Sequence, residues 1–138
     1  MFRALKKAGL GDEYLAQLDP WREMLRQGLT TWAEIPEAWV RSDCHGWASH
    51  PNFDLLTTVA GIEPAASGFR TVKIEPHLGP LKQVKATVPH PAGQISVVYQ
   101  RRGEGLLAEI TLPKKVTGWF VWHGKRLPLR GGYQKLVL

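Results

Sequence analysis

The side chains with the most chemistry to offer crowd into one stretch, from Leu29 to His50. There Glu34, Asp43, Cys44, His45 and His50 are interleaved with Trp32, Trp39 and Trp47. Carboxylate and imidazole beside indole suit sugar recognition: the apolar face of a sugar ring stacks on indole, and the polar groups meet its hydroxyls. The plainer alternative has the three tryptophans filling an interhelical core. Cys44, His45 and His50 make a poor zinc pattern, because cysteine and histidine are adjacent and no carboxylate stands at ligand spacing. The same adjacency disfavours Cys44 and His45 as nucleophile and base, since neighbouring side chains tend to point apart. No glycine-rich phosphate loop of recognised spacing occurs. The residues therefore imply no metal and no cofactor. His77, His90 and His123 fall near strand ends and read as surface residues.

The elements that must position this stretch are helical on both sides. Asp12 is placed to cap a short helix running through Leu18, with Tyr14, Leu15 and Leu18 at helical spacing. Asp19-Pro20 restarts the chain as a second helix, proline suiting the first helical position. Trp21, Met24 and Leu25 form its apolar stripe, and Gly28 supplies a left-handed stop. A third helix starts with Pro51 and carries Phe53, Leu55, Leu56, Val59 and Ala60 up to Gly61.

After Gly61 the punctuation changes. Prolines and glycines cut the chain into seven strand-like runs: 69–74, 84–88, 94–100, 106–112, 118–122, 125–129 and 133–138. Ile95, Val97 and Tyr99 alternate with Ser96, Val98 and Gln100. Short strands at this spacing predict an antiparallel β-sandwich. The expected fold class is α+β, with a helical segment over residues 1–62 and a sandwich domain over residues 63–138. Three short helices make a poor core alone, since small units bury little surface. They must dock on the sandwich or form the edge of a larger helical assembly. The strands, starting near Ala66, are expected to be the independently stable unit.

Composition narrows the classes further. The chain has 138 residues, 43% hydrophobic and 22% charged, which excludes global disorder. No run reaches the ~18 apolar residues of a membrane span. The N-terminus lacks a signal-peptide pattern, so the expected location is cytoplasmic if Met1 is the true start. A single cysteine, Cys44, excludes an internal disulfide. The net charge of +6 arises in the second half: residues 1–62 hold six Lys/Arg against eight Asp/Glu, and residues 63–138 hold twelve against four. These cations are dispersed rather than gathered beside stacking aromatics, so solvated strand faces explain them better than a nucleic-acid surface. Neither nucleic acid nor a membrane is an expected partner.

Three strings recur in order along the chain: Gly28-Leu29-Thr30-Thr31-Trp32-Ala33-Glu34, Ser42-Asp43-Cys44-His45 and Val59-Ala60-Gly61-Ile62. Together they resemble the end of the catalytic domain of bacterial α-L-rhamnosidases, with its Thr-Thr-x-x-Glu turn, Ser-x-x-His loop and helix closing on Ala-Gly-Ile. Pro64, Gly68-Phe69-Arg70, Ile74-Glu75-Pro76 and Gly79 resemble that family's link into a C-terminal β-sandwich. The resemblance implies that the helices are the edge of an α/α barrel. It also implies a complete enzyme that hydrolyses terminal α-L-rhamnosyl groups with inversion. Inversion needs a general acid on the leaving oxygen and a general base activating water from the opposite face. By resemblance Glu34 is that base, His45 contacts the sugar, and Trp32 and Trp47 are sugar-binding candidates. One departure is that Ala33 separates Trp32 from Glu34, where many members place tryptophan directly before the glutamate.

In that family the general acid lies upstream, and by the resemblance this chain starts after it. The isolated chain is therefore expected to be inactive, and a rhamnosylated carbohydrate or glycoside to be the partner of the complete enzyme. Two competing expectations are a non-catalytic carbohydrate-binding or interaction module built on the sandwich, and a degenerate gene remnant that folds without function. The apolar stripe of the helices is expected to fold back on the sandwich or to pair in a homodimer.

Overall fold

A period of two buries every second residue from Ile95 to Tyr99, and the strand after it repeats the pattern. In the computed structural model, which describes residues 2–37, 39 and 42–138, these strands build two four-stranded sheets. One sheet has the order β1 (Ile62–Pro64), β2 (Thr71–Ile74), β6 (Thr117–Trp122), β7 (Lys125–Leu129). The other has the order β3 (Gln83–His90), β4 (Gly93–Arg102), β5 (Gly105–Leu112), β8 (Gly132–Val137). Pairing is antiparallel except between β2 and β6, which run parallel with Val72 opposite Gly118. A Cβ at Gly118 would stand 1.9 Å from the Val72 carbonyl oxygen, so glycine is what lets the two backbones meet. Between the sheets Val72, Ile74, Ile95, Val97, Ile110 and Phe120 are sealed from solvent.

All seven predicted strands are present. β1 is an addition: three residues are too few to show alternation, and Ile62 reads in sequence as the end of a helix, yet it pairs with Ile74. The first predicted strand starts late, because Gly68 and Phe69 take φ of 68° and 57° in a short 3-10 turn, Ser67–Phe69.

The helical half comprises α1 (Phe2–Lys7), a 3-10 helix Gly11–Leu18, α2 (Asp19–Arg26) and α3 (Pro51–Asp54), which widens into a π turn Leu55–Val59. Of these, α1 has no counterpart in the sequence prediction. Asp12 is not the cap that the sequence predicts. It stands inside the first turn, whose N-cap position is Leu10. From there its carboxylate reaches across to the sandwich, accepting the Gly79 N–H at 2.8 Å and lying 3.6 Å from His77 Nδ1. Gly28 does stop α2, at φ +79°, with the Gly28 N–H bonded to the Leu25 carbonyl and the Leu29 N–H to the Met24 carbonyl. That pair of bonds is a Schellman cap.

The helices dock on the strands. Tyr14 and Val59 form a small second core with Leu5, Leu15, Leu18, Trp21 and the β3 residue Val84. Tyr99, buried in the sandwich, donates its hydroxyl to the Ala60 carbonyl at 2.8 Å. Lys6 donates to the Thr57 carbonyl at 2.6 Å and to Glu63 at 2.7 Å. Gly61 turns the chain from helix to sheet with φ +73°, and a Cβ there would lie 2.2 Å from the Glu75 carbonyl.

Two histidines expected at the surface are structural. The His77 ring lies on Gly11, where a Cβ would come within 2.4 Å of it. His90 accepts the Ala92 N–H at Nδ1 (3.0 Å), so its Nε2 is the nitrogen that donates to the Phe69 carbonyl (2.7 Å). That bond ties the end of β3 to the turn before β2. His123 is exposed, as expected.

Candidate functional site

The loop between α2 and α3 is held as two limbs. The His45 N–H donates to the Trp32 carbonyl at 2.7 Å, and the Glu34 N–H to the Ser42 carbonyl at 3.0 Å. The Thr31 hydroxyl closes the same seam on the Asp43 carbonyl. Ala33, small enough to be buried completely between these bonds, pins one limb. This pairing puts Glu34 and His45, eleven positions apart in sequence, on neighbouring backbone. Beyond His45 the chain enters a single 3-10 turn, Gly46–Ser49, and then α3 with Pro51 in its first turn.

The result is a hollow of about 380 Å³ whose wall includes Trp21, Glu34, Ile35, His45, Trp47 and His50. Trp47 is 88% exposed and meets the His45 ring edge-on, with centroids 5.8 Å apart. Trp21 is partly buried; its Nε1–H donates to the Ala48 carbonyl at 2.6 Å. Glu34 is exposed at the rim. Among the described residues lining the hollow, it is the one carboxylate.

Three of the four residues that the sequence nominates therefore gather: Glu34, His45 and Trp47. Trp32 does not line the hollow. It is partly buried, and its carbonyl serves as the peg for His45. Trp39 and Trp47 are 80% and 88% exposed, so neither fills an interhelical core. The tryptophan that does pack between helices is Trp21. Cys44 is an exposed free thiol, and among the described residues no group of three or more His, Cys, Asp or Glu gathers as metal ligands would. No helix among the described residues is long and apolar enough to cross a membrane.

The site also has members that the sequence reading passes over. Trp21 reads there only as part of an apolar stripe, and His50 as one of the loop's imidazoles and part of a poor metal pattern, with no individual role. The available signal was spacing: His50 and Asp54 stand four residues apart across a helix start marked by Pro51, and their side chains meet at 2.8 Å.

Comparison with known proteins gives the fold a lineage. The chain superposes on the native alpha-L-rhamnosidase of Aspergillus terreus with a TM-score of 0.85 at 21% identity, covering 99% of this chain and 18% of that one. It superposes on a GH78 family rhamnosidase of Bacillus sp. GL1 with a TM-score of 0.82 at 28% identity, covering 95% and 15% respectively. An alpha-L-rhamnosidase of Streptomyces avermitilis, solved in complex with L-rhamnose, gives 0.85 at 20% identity over 99% of this chain and 17% of that one. The chain thus spans less than a fifth of each of these three proteins. Among curated protein sequences nothing matches. In sequence, residues 61–136 match the bacterial alpha-L-rhamnosidase C-terminal domain family, a stretch that takes in nearly the whole sandwich. On that match over more than half of its length, the chain belongs to the bacterial alpha-L-rhamnosidase C-terminal domain family.

Proposed function

We propose that this chain supplies the C-terminal sandwich and one wall of the sugar site of an α-L-rhamnosidase-type glycoside hydrolase. In this reading Glu34 is the general base that activates water, His45 binds sugar hydroxyls, and Trp47 offers a stacking face. The observation that carries it is the convergence of these three side chains on one hollow. A carboxylate at a solvent-reached rim is suited to hold and deprotonate a water molecule. Trp32 takes a supporting part, through the backbone peg that sets His45.

An inverting site uses two carboxyl groups ~6.5–9.5 Å apart, one as acid and one as base. The described lining of the hollow offers Glu34 alone. The chain by itself is accordingly proposed to bind sugar without turning it over, which also accommodates a carbohydrate-binding reading. The test is an assay of the purified chain with an aryl α-L-rhamnoside, alongside an L-rhamnose titration followed by tryptophan fluorescence. No turnover and a saturable titration lost in Trp47→Ala are the expected results. Turnover abolished by Glu34→Gln would overturn the one-carboxylate reading, and the absence of any titration would overturn the sugar site. In an enzyme completed by the rest of the catalytic domain, Glu34→Gln is expected to lower turnover by about 10²–10⁴-fold.

A further inference from the structure

We propose that His50, held in place by Asp54, is a further sugar-contacting residue of the hollow; this rests on the sugar-site reading above. Asp54 is a carboxylate that α3 buries, with its side chain 8% exposed. A buried carboxylate is costly unless hydrogen-bonded, and its Oδ2 meets His50 Nδ1 at 2.8 Å. The imidazole in turn is 35% exposed and lines the hollow beside Glu34 and His45. Trp21 braces the ring edge-on, with centroids 4.8 Å apart and planes at 79°. Trp21 is itself fixed through its bond to the Ala48 carbonyl. One imidazole at the wall of a hollow is thus held by a buried carboxylate and an anchored indole.

The bond fixes the chemistry of the ring as well as its place. When neutral His50 donates its Nδ1–H to Asp54, the lone pair of the ring resides on Nε2. That atom is an acceptor matched to a hydroxyl proton, as a polyol ligand provides. Asp54 acts through His50 and is the positioning residue. A helix-start ion pair serving stability alone would account for the 2.8 Å contact, but it would leave the nitrogens of His50 indifferent to sugar.

The experiment is long-range proton–nitrogen NMR of the isotope-labelled chain, titrated with L-rhamnose. In the free chain Nδ1 of His50 is expected to carry the proton. Addition of L-rhamnose is expected to move the Nε2 signal of His50 together with signals of His45 and Trp47. His50→Ala should weaken L-rhamnose binding by about fivefold, the scale of one hydrogen bond, and His50→Gln should restore part of it. Asp54→Asn should shift the His50 tautomer signal and weaken binding in a chain that remains folded; should that variant not fold, the His50 variants decide the matter. Movement at His45 and Trp47 with His50 silent, or wild-type affinity in His50→Ala, overturns this inference and leaves the sugar site standing. If no signal moves at all, the sugar site and this inference fall together.

Discussion

The sandwich and the helical half bury their apolar residues by different means. In the sandwich, ladders of backbone hydrogen bonds fix the register, so alternate residues such as Ile95, Val97 and Tyr99 have no choice of face. The two inner faces then close on each other completely. The helical half has pieces of four to eight residues, and its buried cluster centres on Tyr14 and Val59, with Met24 and Ala33 also buried. Of the ten large hydrophobic side chains exposed among the described residues, seven lie before Gly61: Leu10, Leu25, Ile35, Trp39, Trp47, Phe53 and Leu55. The unsatisfied surface therefore sits on the same side as the candidate site. A fully packed sandwich thus carries a helical segment whose outer apolar residues are exposed, and the candidate site lies on that segment.

The sharpest break in this comparison should come from the sandwich core. Phe120 is fully buried and in contact range of Tyr99, with ring centroids 6.2 Å apart. Phe120→Ala is expected to cost about 3–5 kcal/mol, measured by urea denaturation, because it removes a large side chain from a site that cannot collapse. A cost below about 1 kcal/mol would mean that the sheets are not the stable unit.

Alkaline pH should load both halves at once. Burial pushes the hydroxyl of Tyr99 well above its ordinary pKa. Burial, with the nearby charge of Asp54, pushes that of Tyr14 up too. Unfolded tyrosines ionise near pH ~10 while these two hold their protons when folded, so the unfolded chain binds fewer protons there. Stability is then lost as pH rises past that point, by up to about 1.4 kcal/mol per tyrosine per pH unit. Tyr14→Phe should remove the share of the helical half and leave that of Tyr99. Denaturation midpoints that stay level through this window in the wild-type chain would contradict the burial of both hydroxyls.

The difference between the halves also explains what the sequence disclosed. Strand runs were legible because a two-residue period repeats inside several of them, such as 94–100, and glycines and prolines mark the ends. Ile62 was not, because a three-residue strand carries no period and its partner Ile74 is set by the Gly61 turn. In the helical half Gly28 and Pro51 marked ends correctly, but Asp12 looked like a local cap and is a long-range tie to Gly79. Residue type marked out the loop, with Trp47 as a stacking candidate, while Glu34 and His45 were singled out through the resemblance of their short strings to a known family. What sequence spacing did not display is the seam of Thr31, Ser42 and Asp43 that brings the limbs together. Beside that seam the hollow is lined by Trp21 and His50 and not by Trp32.

A smaller effect should sharpen the joint between the halves. The Tyr99 hydroxyl reaches from the sandwich core to the Ala60 carbonyl, itself buried at the end of the π turn. Tyr99→Phe keeps the ring and leaves that carbonyl without this donor, for an expected loss of about 1–2 kcal/mol. Hydrogen exchange should report the loss first at amides of the π turn, such as that of Ala60, which bonds to the Leu55 carbonyl. Equal loosening across β4 and β5 would instead mean that the hydroxyl serves the sheet rather than the joint.

The smallest expected effect belongs to a residue of the same type in the other half. Phe53 is 49% exposed on α3, so about half of its surface already faces water in the folded chain. Phe53→Ala should change stability by less than about 0.5 kcal/mol, a tenth of the upper expectation for Phe120→Ala, in the same urea titration. The contrast is diagnostic because both changes delete the same ring. If Phe53→Ala proves as costly as Phe120→Ala, something covers α3 in solution. A second copy of the chain would then reveal itself through a denaturation midpoint that rises with protein concentration, since association stabilises the folded state by mass action. A midpoint independent of concentration, together with a small cost, would establish that the wall is open and that its apolar residues contribute little until another surface meets them.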